Sequence, residues 1–289
     1  MDRPKIALIT DSTSDLAPDV LHREGISIVP LYILWGKDQF RDRIDIQPGE
    51  FYARLEVDAL RPKTSQPTPN DFLTAYEKAE QEGAEAIVVL PISDGVSGTS
   101  QAARQAAQQA RIPVSVAVTK GTTMSLGWQV LAAARERNGS GTVKAILAAA
   151  ERVRQKIVLL VTLDTIEFLA SGGRIGNAAK LINSILNIKP QVWLNHETGK
   201  VELGDITRTR LKALESLYQG FIRRVGAGHH LRVAVWYNAA VEEARALFDR
   251  LKTELHPDEL VISDGSPVLG VHTGPRALAL SGYMEDEEE

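Results

Sequence analysis

The stretch SDGVSGTSQAARQAA, Ser93 to Ala107, joins an apolar run to an alanine-rich segment through Ser97, Gly98 and Thr99. Hydroxyls at the start of a helix serve one of three ends. They cap amides that have no intrahelical partner, they join those amides in holding an anion at the positive end of the helix dipole, or one is activated as a nucleophile. Ala103, Ala106, Ala107 and Ala110 recur at helical spacing, so this helix can pack closely on a sheet and fix its amino end. Gly98 would then let the backbone approach a ligand. Phosphate is one anion suited to such a turn, yet neither a P-loop pattern nor GxGxxG occurs in the chain. A Ser97 nucleophile with His272 as its base would make a serine hydrolase or acyltransferase. The local order Gly95, Val96, Ser97, Gly98 lacks the GxSxG spacing of a hydrolase elbow.

Other hydroxyl-bearing turns stand at comparable places. DSTSD (Asp11 to Asp15) follows the first β-branched run, and KGTTMSLG follows VSVAV. KTSQPTP, with Thr64 and Ser65, precedes a further helix and is held extended by its prolines. In an open parallel sheet, ligands lie beyond the carboxyl ends of the strands, where such loops meet.

The elements that must carry these turns alternate between β-branched runs and amphipathic segments, an α/β pattern. KIALIT, ISIVPLYIL, EAIVVLPI and IPVSVAV read as extended runs, the last two apolar throughout as expected of parallel strands covered on both faces. One intervening helix is sharply punctuated, with Thr68 as cap, Pro69 at the first position and Gly83 as terminator. Residues 1–155 therefore read as a doubly wound parallel-sheet lobe. Residues 156–282 read as a second, mixed-sheet α/β lobe, in which QVWLNHETGKVEL forms a hairpin turning at Asn195 to Lys200. Residues 283–289, rich in glutamate, form a disordered acidic tail.

Composition narrows the function further. A chain of 289 residues, 44% hydrophobic, is large enough for two lobes, and its net charge of −4 argues against a general nucleic-acid binder. With no cysteine, disulfides, thiol catalysis and thiolate zinc sites are excluded, and no HExxH or similar spacing suggests a metal. No run approaches the roughly 20 apolar residues of a membrane span, and the first apolar stretch is too short for a signal-peptide core. The expected location is the cytoplasm, and no cofactor is expected.

Five motifs, ITDSTSDL, TSQPTPNDF, SGTSQAA, TLDTIEFLASGGRIGNAAKL with IKP after it, and GVHTGP, occur in one order along the chain. In order and spacing the sequence resembles the DegV family of fatty-acid-binding proteins, from Ile6 to about Leu280. The resemblance implies two α/β lobes with one long-chain fatty acid between them. It also implies a non-catalytic role, as the acyl-carrying subunit that presents the carboxylate to a fatty acid kinase for acyl phosphate formation. The family's carboxylate-binding positions fall on Thr64, Ser97 and His272, with Ser65, Gly98 and Thr99 as supporting donors. The acyl tail is expected in the second lobe, against Phe168, Ile175, Leu181, Ile182, Ile185 and Leu186. A basic face of Arg174, Arg208 and Arg210 is expected to dock the kinase.

The chain departs from the family pattern at Ser100, where a bulky aromatic is usual, and at AVTKG, which lacks an aspartate and serine. It departs again at Arg276, which replaces the glycine of HTGPGA and would either strengthen anion binding or block the mouth. The readings of a different class are the Ser97 and His272 hydrolase and a dihydroxyacetone-kinase-like binder of a small ketone. A small polar ligand gives no reason for a large apolar pocket.

Overall fold

The β-branched runs form strands and the capped amphipathic segments form helices. The structure, a computed structural model, describes residues 5–139, 141–181, 188–226 and 230–285, with backbone only at 178, 180 and 181. The first half runs β1 (Ile6–Asp11), α1 (Pro18–Arg23), β2 (Ile26–Val29), β3 (Tyr32–Trp35), β4 (Asp38–Arg41), α2 (Pro48–Val57) and β5 (Lys63–Ser65). It continues through α3 (Pro69–Gln81), β6 (Ala86–Leu90), α4 (Thr99–Ala107), β7 (Val114–Val116), α5 (Thr123–Gly139) and α6 (Val143–Lys156). The second half runs β8 (Val158–Thr162), α7 (Glu167–Gly172), β9 (Lys189–Leu194), β10 (Val201–Thr207) and α8 (Arg210–Val225). It ends with β11 (Leu231–Tyr237), α9 (Val241–Leu255), β12 (Glu259–Asp264), α10 (Pro267–Thr273) and β13 (Leu278–Met284).

The architecture is the expected α/β one. A parallel sheet has the order β2-β1-β6-β7, and a mixed six-stranded sheet has the order β10-β9-β8-β13-β11-β12. The α3 helix starts as its sequence requires: Thr68 Oγ1 accepts from Asp71 N at 3.2 Å, Thr68 N donates to Asp71 Oδ2 at 2.7 Å, and Pro69 stands first. The β9–β10 hairpin closes with Asn195 N donating to Lys200 O at 3.0 Å. ISIVPLYIL does not form one strand. Pro30 has no N–H to give a ladder, so the run breaks there and β3 joins β4 and β5 in a separate three-stranded antiparallel sheet that carries Thr64.

The two larger sheets share one helix. From Thr123 to Leu131, and again at Ala133 and Ala134, α5 is buried on every side, because small and apolar residues occur all round it. One side meets Leu8, Val88 and Leu90 of the parallel sheet, and the other meets Ala234 and Tyr283 of the mixed sheet. Trp128 stacks edge-on to Tyr283 and donates Nε1–H to Ser281 O at 3.2 Å. The far face of the mixed sheet, with Leu160, Val233, Val235 and Leu280, packs on α8 and α9.

The α10 helix belongs to the second half by sequence and to the first by packing. Val268 and Val271 pack with Leu31, Ile33, Trp35 and Phe51. Its first amides are held by carboxylates of the first half: Ser266 N donates to Asp15 Oδ1 at 2.9 Å, and Val268 N to Asp42 Oδ1 at 3.1 Å. Burial pushes the Asp42 carboxyl up to about 7, against the lowering effects of Ser12, Arg43 and the Val268 amide, while Asp15 adds to the rise. A carboxyl whose pKa is raised on folding binds its proton more tightly when folded. It therefore contributes stability that is full below its unfolded pKa and is lost as pH rises through the folded one. Between pH 6 and pH 8, wild-type protein should lose about 1.4 kcal/mol of unfolding free energy relative to Asp42→Asn, measured by urea unfolding. Parallel curves for the two proteins would show that Asp42 is ionised throughout.

Arg276 accounts for its own oddity. It sits at φ 60°, the left-handed region that favours glycine, and its guanidinium pairs with Glu243 at 3.3 Å while half-exposed. An exposed pair of this kind adds little, whereas left-handed backbone costs a non-glycine residue about 1–2 kcal/mol. Arg276→Gly gives back part of that gain as unfolded-chain entropy, so it should stabilise the protein by about 0.5–1 kcal/mol in the same assay. A destabilised variant would mean that the Glu243 pair outweighs the backbone.

Candidate functional site: a cavity between the sheets

At the amino end of α5 the two sheets part and leave a cavity. The carboxyl-end loops of the parallel sheet supply Thr13, Ile92, Val96, Thr122 and Thr123. The mixed sheet contributes Leu159, Val161, Val192, Leu194, Val201 and Trp236. Side chains alternate across a strand, so Leu159 and Val161 face the cavity while Leu160 between them packs toward α8 and α9. Leu31, Val268 and Leu269 close a further side. The wall is thus largely aliphatic, with Thr13, Thr122 and Thr123 on one side and a larger polar end where β5, the turn before α4, and α10 meet.

That polar end contains Thr64, Ser65, Gln66, Ser97, His272 and Arg174. Thr64 Oγ1 lies 2.9 Å from His272 Nε2. Ser97 Oγ lies 2.9 Å from Thr99 Oγ1 and accepts from Thr99 N at 3.4 Å. Burial, with Arg174 adding to it, pushes the His272 imidazole down to about 4, so the ring is neutral at physiological pH. If Nε2–H donates to Thr64, the threonine keeps its own proton free for an anion. Arg174 is exposed and is braced by bonds from Nε to Val96 O at 3.2 Å and from Nη1 to Gly172 O at 2.9 Å. Together these groups can hold one small anionic head by hydroxyl and imidazole donors, with a guanidinium nearby and an apolar channel behind.

Of the expected carboxylate residues, Thr64, Ser65, Ser97 and His272 line the cavity. Thr99, fully buried as the first residue of α4, sits behind Ser97. The space a side chain at Gly98 would fill is occupied by Gln66, whose Oε1 would lie 2.2 Å from an added Cβ. The glycine thus admits a neighbouring side chain of the protein. Gly172 does the same for His272, whose Nδ1 would lie 2.1 Å from its Cβ. Nothing among the described residues joins Ser97 to His272, since Thr99 and Thr64 engage them separately.

Of the expected tail lining, the two residues whose side chains are described, Phe168 and Ile175, are not among those lining the cavity. Phe168 lies under the Arg61 guanidinium, 5.2 Å from its ring centroid, and Ile175 packs on the core formed by Leu159, Leu169 and Val192. The Leu181 side chain, Ile182, Ile185 and Leu186 lie outside the described residues. The aliphatic residues of β8 and β9, which do line the cavity, have no mark in the sequence beyond their apolar character. Arg174 lies at the polar end, Arg208 is exposed, and Arg210 forms a two-pronged bond to Glu243 at 2.9 and 2.7 Å. Arg276 is not one of the residues lining the cavity. Among the described residues there is no cluster of groups able to hold a metal ion, and no helix long and apolar enough to cross a membrane.

Comparison with known proteins bears on the family and the fold. Residues 5–285 match the family described as "Uncharacterised protein, DegV family". A DegV domain-containing protein of Deinococcus radiodurans is 36% identical over 276 residues, covering 96% of this chain and 97% of the relative. Among solved structures, a fatty-acid-binding DegV family protein from Thermus thermophilus superposes with a TM-score of 0.90 at 33% identity, covering 97% of this chain and 100% of its own. DegV of Bacillus subtilis, a fatty acid binding protein, superposes with a TM-score of 0.88 at 25% identity over 98% and 100% of the two chains. With residues 5–285 matched by the family's model and a 36% identical relative covered over nearly its whole length, this chain belongs to the DegV family.

Proposed function

We propose that this protein binds one long-chain fatty acid, with the carboxylate at Thr64, Ser97 and His272 and the tail among Leu159, Val161, Val192, Leu194 and Val201. The observation that carries the reading is one cavity whose wall is largely aliphatic and which gathers Thr64, Ser97 and His272 at one place. Burying roughly 14 methylenes at about 0.8 kcal/mol each supplies on the order of 11 kcal/mol before ordering costs, so the tail dominates affinity. The head group sets direction. Similarity to fatty-acid-binding relatives supports the same ligand class. The protein would act as a carrier that presents the carboxylate to a partner kinase for conversion to acyl phosphate, with Thr64 and Ser97 of the first half and His272 of the second holding the head group and the second half much of the tail.

Protein purified from cells should yield about one long-chain fatty acid per chain on organic extraction and mass spectrometry. Recovery of no acyl chain, together with no binding of added palmitate by stripped protein, would remove the reading. Ser97→Ala and Thr64→Val should each weaken fatty-acid binding by about 1–3 kcal/mol without unfolding the protein, because each leaves a charged acceptor one donor short. Unchanged affinity with a lowered melting temperature would make the two hydroxyls structural.

For the kinase, Arg208→Glu is the informative change. Reversing Arg210 would set a carboxylate against Glu243 and disturb the contact between α8 and α9, and Arg174 lines the cavity. Arg208→Glu should abolish ATP-dependent acyl phosphate formation with the cognate kinase while leaving fatty-acid affinity within about threefold. Survival of phosphorylation would place the docking face elsewhere.

A further inference from the structure

The α10 helix offers His272 to Thr64 at one end, and at the other it is gripped by two carboxylates from the opposite half of the chain. We propose that Asp15 and Asp42 are positioning residues for the anion-binding end of the cavity, fixing the register of α10 and with it the place of His272. This rests on the reading that a ligand's acid group lies at His272.

Packing alone does not require these carboxylates. Asp15 is 2% exposed and Asp42 1%, and burying acidic groups is costly where an apolar contact of similar volume would fill the space. What a carboxylate adds is direction. Asp15 accepts from Ser266 N and Asp42 from Val268 N only while α10 holds one register, and a helix that slides by one residue moves by about 1.5 Å. Such a slip would take His272 Nε2 out of hydrogen-bond range of Thr64 Oγ1.

Asp15 also reaches the cavity wall. Its Oδ2 accepts from Trp236 Nε1 at 2.6 Å, and its carbonyl accepts from Ser263 Oγ at 2.6 Å. One side chain thereby ties a wall residue and the helix bearing the head-group imidazole to the turn after β1. Arg43 completes the link, 3.2 Å from Asp15 and 3.3 Å from Asp264 at the end of β12. The charged and titratable groups facing this clamp are Arg43, Asp264 and Tyr52, together with Asp15 and Asp42 themselves. Arg174 faces His272. Gly270 lets α10 lie against α2 at this point, since a Cβ there would come 2.5 Å from Tyr52 Oη and 2.7 Å from Phe51.

The test compares Asp42→Ala, Asp42→Asn and Asp15→Asn, each checked for folding by thermal melting. The first readout is the titration of the His272 ring by NMR in ligand-free protein, which does not depend on the ligand's identity. The second is palmitate affinity and release rate. Asp42→Ala should carry the His272 titration up from about 4 toward the ordinary 6.5 and weaken palmitate binding at least about tenfold, mostly through faster release. Asp42→Asn keeps an acceptor for Val268 and should restore both readouts to near wild type. Asp15→Asn cannot accept from both Ser266 and Trp236, so it should behave like Asp42→Ala, and it serves in its place should the alanine variant fail to fold. Folded Asp42→Ala or Asp15→Asn protein with an unmoved His272 titration overturns the proposal. A His272 that moves as expected in a protein that binds no palmitate supports the clamp and removes the fatty-acid reading instead.

Discussion

Two sheets resting on one helix set the terms for everything else in this molecule. Because α5 has no solvent-facing side along most of its length, the parallel and mixed sheets are held apart by the full width of that helix. Where α5 ends, at Thr123, that spacing persists with nothing to fill it. The turns after β1, β6 and β7 open into the gap from one side, and the β8, β9 and β11 faces close it from the other. The cavity is thus a consequence of layer geometry, and a helix one turn longer would occupy it.

The chemistry at its polar end follows from the same enclosure. A neutral imidazole, two hydroxyls and a guanidinium near the opening suit a ligand with a single negative charge. The donors are weak one by one and gain from being shielded. Their fixed positions depend on elements remote in sequence: Thr64 on a short edge strand, Ser97 before α4, and His272 on a helix contributed by the second half.

What the sequence discloses divides along that line. Thr68, Pro69 and Gly83 mark α3 because capping is local chemistry, and Asn195 to Lys200 mark the hairpin because turn preference is local too. Ser97 stands out as a hydroxyl in a punctuated turn before a helix, while Thr64 and His272 are marked as carboxylate candidates by the resemblance to the family. The walls are not. Leu159 and Val161 read as ordinary core, and only the strand's alternation, once its neighbours are known, separates them from Leu160. The break at Pro30 creates a third sheet from what reads as one strand. Nothing near Pro267 says that α10 crosses to the other half, since the partners that hold it, Asp15 and Asp42, lie far away in the chain. Arg210 looks like a free basic residue until α9 brings Glu243 beside it.

The crossed packing of α5 and α10 bears on how the chain comes into being. During synthesis the first half emerges with a bare slot lined by Leu31, Ile33, Trp35 and Phe51, and with α5 lacking its cover from Ala234 and Tyr283. The second half cannot complete its sheet without β13, its last strand, which lies between β8 and β11. The α3 and α4 face of the parallel sheet packs from first-half residues alone, but each half expressed separately would carry an exposed apolar surface shaped for the other. Nearly the whole polypeptide must leave the ribosome before α5 and the slot for α10 are covered.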